Sequence, residues 1–246
     1  MNSGGQVPRV DFVAIRALCI DLDGTLLDTI PDLAVAANRM LADLGHAPLA
    51  VEAVRRFVGK GAEVLIARTL AAAGQPAAES SAAFAAARRS FYENYRRCNG
   101  DAALPYPGVA DGVARLRAAG RSLACVTNKP AEFVPQLFER FGLAGSFRFW
   151  IAGDTLPVKK PDPGQLLEAA RRFGLAPAQV LMVGDSMNDA LAARAAGMSI
   201  VLVPYGYNEG ASVASLDSDG IVASLAELAG HFEAARGLPE SADTAR

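Results

Sequence analysis

The sequence has no long apolar run, no excess of charge of one sign and few cysteines. Nowhere do eighteen apolar residues follow one another, and Met1 to Asp11 contain no apolar signal core, so a membrane span is not expected. The 24 basic residues nearly balance the 26 acidic ones, which leaves no basic field for nucleic acid or an anionic membrane. We therefore expect a cytoplasmic protein that binds neither nucleic acid nor membranes.

The three cysteines, Cys19, Cys98 and Cys125, are an odd number and lack the spacing of a metal site. Cys19 and Cys125 lie in apolar runs, so we expect reduced thiols in the core. With 246 residues, 51% of them hydrophobic, the chain can bury a sizeable core and forms one large domain or one domain with an insertion. The sequence leaves both a monomer and a homodimer open.

Short apolar runs indicate buried β-strands. Nearly every position in these runs is apolar, and segments with helical spacing separate them. Continuous apolar strands of this kind are typical of a parallel sheet covered on both faces. We therefore predict an α/β fold with a doubly wound, mostly parallel sheet. The predicted strands are residues 17–21, 122–127, 147–152, 179–184 and 199–203.

Between residues 31 and 102 helical spacing replaces the strand pattern. This stretch is rich in Ala, Leu and Arg, with helices predicted over 32–44, 61–73 and 80–97. It leaves after the loop of the first strand and returns at a turn rich in proline. The predicted domains are a discontinuous α/β core of residues 12–30 and 103–235, an all-helical insert of residues 31–102, and flexible tails of residues 1–11 and 236–246.

The first predicted strand ends in two carboxylates, Asp21 and Asp23. Ligands of parallel sheets bind at this edge. Two adjacent carboxylates are difficult to ionise together unless a cation lies between them or one is protonated, so a divalent metal would suit them. Such a pair alone is more often formed by turn residues that cap backbone amides. Here it is joined to Gly24, Thr25 and Asp28, which makes the string more specific.

Two further strands end in residues that can bind phosphate or metal. Thr127 and Asn128 precede Pro130, where a hydroxyl, an amide and the N–H groups of a helix start could hold phosphate, although helix capping is an equal alternative. Asp185 directly follows the fourth predicted strand, where a hard cation would take an oxygen ligand. The spacing of Ser186 and Asp189 also fits a helix capping box.

A lysine follows the third predicted strand. Lys160 precedes Pro161 and therefore lies in extended backbone, from which its side chain can point inward. A Lys-Pro pair alone is usually part of a solvated loop. Lys159 is the weaker candidate for a site residue.

The strings around Asp21, Thr127, Lys160 and Asp185, in their order along the chain, resemble the four motifs of the haloacid dehalogenase superfamily. The resemblance extends from about Ala17 to Leu228. It implies a Mg²⁺-dependent phosphatase that acts on a small phosphate ester. Asp21 would be the nucleophile, forming a phospho-aspartate. Asp23 would be the general acid and then the base for the attacking water.

The resemblance also implies the roles of the other motif residues. Thr127, Asn128 and Lys160 would bind phosphate, with Lys160 stabilising charge on the transferring group. Mg²⁺ would be held by Asp21, Asp185 and the backbone carbonyl of Asp23. Asp189 and Ser186 would support this site without touching the substrate.

Two strings, Leu156-Pro-Val-Lys-Lys-Pro-Asp-Pro163 and Tyr205-Gly-Tyr-Asn208, resemble the bacterial phosphoglycolate phosphatase subfamily. The resemblance implies hydrolysis of 2-phosphoglycolate to glycolate and phosphate, with the helical insert as a closing cap. Gly59, Lys60 and Gly61 of the insert would contact the substrate, although a plain interhelical turn is nearly as probable. Lys60 departs from the polar, often uncharged residue expected there. It could attract a substrate carboxylate or indicate another substrate.

The sequence is also compatible with other functions. A phosphosugar mutase would use the same Asp21 chemistry but pass the phosphoryl group to a sugar. A phosphatase for another small phosphate or for pyrophosphate is also compatible with the motifs. A phospho-accepting signalling domain is the remote alternative, because it would need neither the helical insert nor Asp23 as a proton donor.

Overall fold

The computed structural model describes residues 8–237 and is organised around a six-stranded parallel sheet. The strands are β1 Ala17–Ile20, β2 Leu27–Asp28, β3 Leu104–Pro105, β4 Ser122–Val126, β5 Phe149–Ile151, β6 Val180–Gly184, β7 Ser199–Leu202 and β8 Gly220–Ile221. The sheet order is β5-β4-β1-β6-β7-β8, and β2 pairs with β3 in a separate antiparallel ribbon. The predicted doubly wound α/β fold is confirmed.

Helices cover both faces of the sheet. The helices are α1 Ile30–Asp43, α2 Val51–Arg55, α3 Ala62–Ala72, α4 Ala82–Cys98, α5 Val109–Ala118, α6 Val134–Arg140, α7 Gly164–Phe173, α8 Met187–Ala196 and α9 Leu225–Gly237. The helices α5 to α9 are the ones that pack against the sheet. Leu18 and Ile20 of β1 pack in the cluster formed with α5, α6 and α9. Ala17 and Cys19 pack with α7 and α8 on the opposite face. Both faces of each central strand are thus apolar, which explains the unbroken apolar runs.

The helices α1 to α4 share a hydrophobic cluster of their own. α1 and α4 make the most extensive helix pair in it, and α4 begins where the Ser81 hydroxyl accepts a hydrogen bond from Phe84 N–H at 3.1 Å. Phe133 and Tyr207 enter the cluster from outside these helices. The short helix α2 was not predicted from the sequence.

A buried carboxylate joins the helical segment to the chain that returns to the sheet. Asp32 is 1% exposed, and its carboxylate accepts hydrogen bonds from the backbone N–H groups of Gly100, Ala102 and Ala103 at 2.8, 2.8 and 3.1 Å. These bonds compensate the loss of hydration of a buried charge. The two connections between the helical segment and the sheet meet at Asp32. These hydrogen bonds therefore fix the position of the helical segment relative to the sheet.

The two ends of the described chain pack against the sheet side of the molecule. Arg9 N–H donates to Asp219 O at 2.6 Å, and Arg236 lies in the last turn of α9. Of the predicted flexible tails, the structure describes only residues 8–11 and 236–237, and the remaining tail residues lie outside the described part of the chain. All three cysteines are buried and unpaired. Within residues 8–237 every helix is too short or too polar to span a bilayer.

Candidate active site

The loop after β1 places Asp21 and Asp23 at the carboxyl edge of the sheet. Asp23 Oδ1 accepts a hydrogen bond from the Thr29 hydroxyl at 2.6 Å. Gly24 has φ of 92°, and a Cβ built on it would lie 2.4 Å from Asp185 Oδ2. Only glycine allows this backbone conformation and this close approach together, so the loop can reach the neighbouring carboxylate.

Three carboxylates meet at this edge. Oxygens of Asp21, Asp185 and Asp189 lie within 4.8 Å of one another. They follow the neighbouring strands β1 and β6, in which Ile20 pairs with Val183. Burial raises the pKa of Asp185 well above its ordinary value, and the charges of Asp189 and Asp21 raise it further. Burial is also the main reason that the pKa of Asp21 is raised to about 7.

This crowding of buried carboxylates fits a divalent cation, because Mg²⁺ prefers oxygen ligands and would offset the repulsion. The site residues that could hold it are Asp21 and Asp185. The Thr25 hydroxyl donates to Asp185 Oδ1 at 2.8 Å, and Tyr207 N–H donates to Asp185 Oδ2. The Asp185 carboxylate is thus held in place by neutral donors.

Lys160 lies beneath the carboxylates with its side chain buried. Its Nζ is 3.0 Å from Asp21 Oδ1 and 2.6 Å from Asp189 Oδ1, and it donates to Val126 O at 2.8 Å. Burial lowers the pKa of Lys160, but the carboxylates of Asp189 and Asp21 raise it more, so the net shift is upward. Lys160 therefore remains an ammonium that can offset negative charge at Asp21.

The loop after β4 holds two of the three residues predicted to bind phosphate. The Thr127 hydroxyl accepts a hydrogen bond from Lys129 N–H at 3.1 Å. The Asn128 amide donates to Lys160 O at 2.8 Å and to Gly59 O at 3.0 Å, while its Oδ1 is buried without a partner among the described residues. Thr127 and Asn128 both line the cavity described below.

The segment after Pro130 differs from the prediction. Free N–H groups of an α-helix were expected there, but Ala131–Phe133 forms a single 3-10 turn and α6 begins only at Val134. The Ala131 N–H donates to Asp154 Oδ1 at 2.9 Å. That N–H is therefore satisfied by a side chain.

The start of α8 has the capping box that the sequence allowed. Asp189 Oδ2 accepts hydrogen bonds from Ser186 N–H at 3.1 Å and from the Ser186 hydroxyl at 2.7 Å. Its other oxygen accepts the hydrogen bond from Lys160. Asp189 thus joins the helix cap to the buried lysine, which fits the predicted supporting role.

The turn before α3 approaches the sheet edge through its backbone. Gly59 O accepts hydrogen bonds from the side chains of Asn128 and Asn188, at 3.0 and 3.3 Å. Gly59 and Gly61 line the cavity, but Lys60 does not. Lys60 Nζ lies 3.1 Å from Glu209 Oε1 on the loop after β7. The structure therefore brings the two glycines to the site and leaves the lysine outside it.

Sequence reasoning missed two residues of this site. Lys129 is 4% exposed, and its Nζ lies 2.9 Å from Asp23 Oδ1 and 2.7 Å from the Tyr95 hydroxyl. Lys129 stands within the string Val126-Thr-Asn-Lys-Pro130, so its position beside Asn128 was the available signal. Tyr95 had no such signal, because it is one aromatic residue among several in a helical pattern.

A small cavity lies between the carboxylates and the helices α3 and α4. The space that the centre of a water molecule can reach within it is about 40 Å³, enough for roughly three or four waters. Its wall is polar near the sheet and apolar near the helices. The lining residues are Asp21, Asp23, Leu33, Val58, Gly59, Gly61, Ala62, Leu65, Phe91, Tyr95, Thr127, Asn128, Lys129, Pro130 and Phe133.

The fold and the site together define an α/β protein with a carboxylate cluster at the switch point of its sheet, beneath a helical segment. A family model described as haloacid dehalogenase-like hydrolase matches residues 15–197. The chain therefore belongs to the haloacid dehalogenase-like hydrolases, and the predicted family membership is confirmed.

Several similar proteins share one description. The chain is 49% identical over 214 residues to the phosphoglycolate phosphatase of Nitrosospira multiformis, covering 87% of this chain and 93% of that protein. It is 45% identical over 216 residues to the phosphoglycolate phosphatase of Thiobacillus denitrificans, covering 87% and 94%. A crystal structure of a predicted phosphoglycolate phosphatase from Haemophilus somnus 129PT matches with a TM-score of 0.84 and 33% identity, covering 89% of this chain and 98% of that chain.

This chain is therefore a hydrolase, and its similarity to these phosphatases supports the prediction that it hydrolyses phosphoric monoesters.

Proposed function

We propose that this protein is a Mg²⁺-dependent phosphatase that hydrolyses 2-phosphoglycolate to glycolate and phosphate through a phospho-aspartate on Asp21. The observation that carries the proposal is the carboxylate cluster of Asp21, Asp185 and Asp189, in which Asp21 lies 3.0 Å from Lys160 and lines a small cavity. The similarity to phosphoglycolate phosphatases supports the choice of substrate.

The metal would be held by the carboxylates of Asp21 and Asp185 and by the backbone carbonyl of Asp23. The raised pKa values of the two carboxyl groups fit this role, since burial and mutual repulsion disfavour their ionised forms without a cation. When bound, Mg²⁺ would polarise the phosphoryl group and offset its charge. Asp189 and Ser186 would support the site through the cap of α8 and through Lys160.

In the first chemical step, a carboxylate oxygen of Asp21 attacks phosphorus. The bond from phosphorus to the ester oxygen breaks, and that oxygen takes a proton from the Asp23 carboxyl group to leave as the hydroxyl of glycolate. Asp23 is placed for this by the Thr29 hydroxyl at 2.6 Å. Covalent catalysis of this kind divides one difficult displacement into two easier ones.

In the second step, Asp23 takes a proton from a water molecule as that water attacks phosphorus. The bond from phosphorus to Asp21 breaks, so inorganic phosphate leaves and the carboxylate is regenerated. Lys160 stays beside Asp21 in both steps, where its ammonium offsets the charge of the transferring oxygens. The hydroxyl of Thr127 and the backbone N–H of Asn128 would donate to those oxygens from the other side of the cavity, because both side-chain N–H groups of Asn128 already donate to Lys160 O and Gly59 O.

We propose that residues 31–102 act as a cap on a core formed by residues 12–30 and 103–235. The Gly59 carbonyl, bonded to Asn128 and Asn188, would hold the cap against the core during the reaction. Apolar cap residues such as Leu65 and Phe91 would exclude bulk water from the attacked phosphorus. A cytoplasmic location and a monomeric or homodimeric state remain expectations from the sequence.

The test is phosphate release from a panel of 2-phosphoglycolate, sugar phosphates, nucleotides and pyrophosphate, with Mg²⁺ and with EDTA. A Mg²⁺-dependent preference for 2-phosphoglycolate is expected. A preference for another ester would refute the substrate but keep the phosphatase. Turnover of a sugar phosphate only with a sugar bisphosphate activator, without phosphate release, would replace the proposal with a mutase.

The phospho-aspartate is tested separately with Asp21→Asn, which keeps the shape of the side chain and removes the nucleophile. Phosphate release should be abolished, and peptide mass spectrometry of acid-quenched wild type should find the phosphoryl group on the Asp21 peptide. Asp111→Asn is the control, because Asp111 is exposed on α5, where it pairs with Arg115. Retained turnover in a folded Asp21→Asn protein would contradict the mechanism.

A further inference from the structure

The organic part of the substrate must occupy the side of the cavity away from Asp21. Asp21 attacks phosphorus in line, so the leaving oxygen lies near Asp23, and the group attached to it extends toward α3 and α4. That side of the wall is apolar and includes Val58, Leu65 and Phe91. A leaving group with a negative charge would therefore need a specific polar partner there.

Lys129 is the one cationic side chain among the described residues that line the cavity. Lys160 is buried beneath Asp21, and Lys60 lies outside the cavity beside Glu209. Lys129 Nζ contacts Asp23, the residue next to the leaving oxygen. The ammonium is thus within the same part of the cavity as the organic group of the ester.

Tyr95 provides a second donor at the same place. Its hydroxyl accepts a hydrogen bond from Lys129 Nζ at 2.7 Å and has no acceptor for its own proton among the described residues. Burial raises the pKa of Tyr95 well above its ordinary value, so this proton is retained. The ring is fixed against Phe133, with ring centroids 4.6 Å apart.

The two donors come from different parts of the fold. Lys129 is on the loop after β4, and Tyr95 is on α4 of the helical segment. Their contact exists only when α4 packs against the sheet edge. The pair therefore forms a recognition element that is complete only in this packed arrangement.

We propose that Lys129 and Tyr95 together bind a negatively charged group on the organic part of the substrate, and so select anionic esters such as 2-phosphoglycolate. The ammonium offers charge, and the hydroxyl proton offers a second hydrogen bond to the other carboxylate oxygen. In the apolar surroundings of this wall such charge-assisted bonds are stronger than in water. This inference rests on the proposed phosphatase function.

The test compares 2-phosphoglycolate with 2-hydroxyethyl phosphate, in which a neutral CH₂OH group replaces the carboxylate. In Lys129→Met, kcat/KM for 2-phosphoglycolate should fall about 10- to 100-fold more than for the neutral ester. Tyr95→Phe should change the same ratio in the same direction by about 2- to 10-fold. Arg171→Met is the control, since Arg171 is exposed on α7, where it pairs with Glu168, and it should leave the ratio unchanged.

A binding measurement separates this inference from the proposed catalysis. In an Asp21→Asn background, which cannot turn over, calorimetry at a Mg²⁺ concentration that saturates this variant should show that Lys129→Met weakens the binding of 2-phosphoglycolate by about the same factor. The binding of the neutral ester should change little. Equal losses for both esters would overturn the inference, because Lys129 would then only position Asp23. If the wild type releases phosphate from neither ester, the proposed function fails, and the binding experiment still decides the role of Lys129.

The variants also control for folding. Lys129→Arg keeps the charge and should therefore retain the preference for the anionic ester. If Lys129 had only a structural role, Lys129→Arg would not restore this preference specifically. If Lys129→Met does not fold, Tyr95→Phe and Lys129→Arg decide the inference, and an unchanged ratio in Tyr95→Phe then overturns it.

Discussion

The metal-free protein should lose stability as the pH rises through neutrality, and Asp21→Asn should remove most of that loss. Burial is the main cause that raises the pKa of Asp21 from 3.8 to about 7 in the folded protein. Between these two values the folded state binds more protons than the unfolded state, so the free energy of unfolding falls as pH increases. One carboxyl group with such a difference accounts for about 4 kcal/mol at most.

The expected loss between pH 5 and pH 8 is smaller than this limit, because part of the titration difference lies below pH 5. We expect about 2 to 2.5 kcal/mol less stability near pH 8 than near pH 5 in the wild type, relative to Asp21→Asn. The asparagine variant resembles the protonated form, so it should be the more stable protein at the higher pH.

The assay is urea unfolding of both proteins in EDTA at several pH values, with the difference between them taken at each pH. Taking the difference removes the titration of groups that both proteins share. Addition of Mg²⁺ near pH 8 should stabilise the wild type and have less effect on Asp21→Asn, because the cation and the proton relieve the same repulsion. A difference that is constant across the pH range, or that favours the wild type more as pH rises, would refute the reasoning.

Three further substitutions test other contacts. Lys160→Ala should lower kcat about 100- to 1000-fold in steady-state assays and reduce the unfolding free energy by about 3 to 5 kcal/mol in urea, because buried Asp189 loses its cation. Gly24→Ala should destabilise by about 1 to 2 kcal/mol through its positive φ, and calorimetry should show weaker Mg²⁺ binding because the new Cβ displaces Asp185. Lys60→Ala should cost less than about 1 kcal/mol, because its pair with Glu209 is partly exposed. If Lys60→Ala changed the ratio of kcat/KM between anionic and neutral esters, Lys60 would have to contact the substrate after all.

The sheet and its edge could be predicted because they follow from local pattern and from a general rule. Residues 17–21 were predicted as a strand, and β1 spans Ala17–Ile20 with all four residues buried. Parallel strands place their carboxyl ends at one edge, so the loops bearing Asp21 and Asp185 had to meet. The two-residue strand β8 was missed, because a pair such as Gly220–Ile221 is too short to show any period.

The contacts between the helical segment and the sheet could not be predicted from the sequence. They depend on how α4 is rotated and on which side-chain rotamers reach across the gap. Tyr95 and Lys129 are far apart in the chain, and neither spacing nor composition relates them. Lys60 shows the converse, since its place between two cavity-lining glycines suggested a substrate contact, but its long side chain reaches Glu209 instead.

The charges of the site explain why it would need both a metal cation and the two lysines. The site contains four carboxylates and two ammonium groups: Asp21, Asp23, Asp185 and Asp189, with Lys129 and Lys160. If all are ionised, the formal charge is −2, and a phosphate ester brings further negative charge into a buried space. One Mg²⁺ offsets the surplus of the protein alone, so the ester should bind measurably only after the metal. In the proposed first step Asp23 carries a proton, so the charge of Lys129, which otherwise pairs with Asp23, can offset the carboxylate of 2-phosphoglycolate.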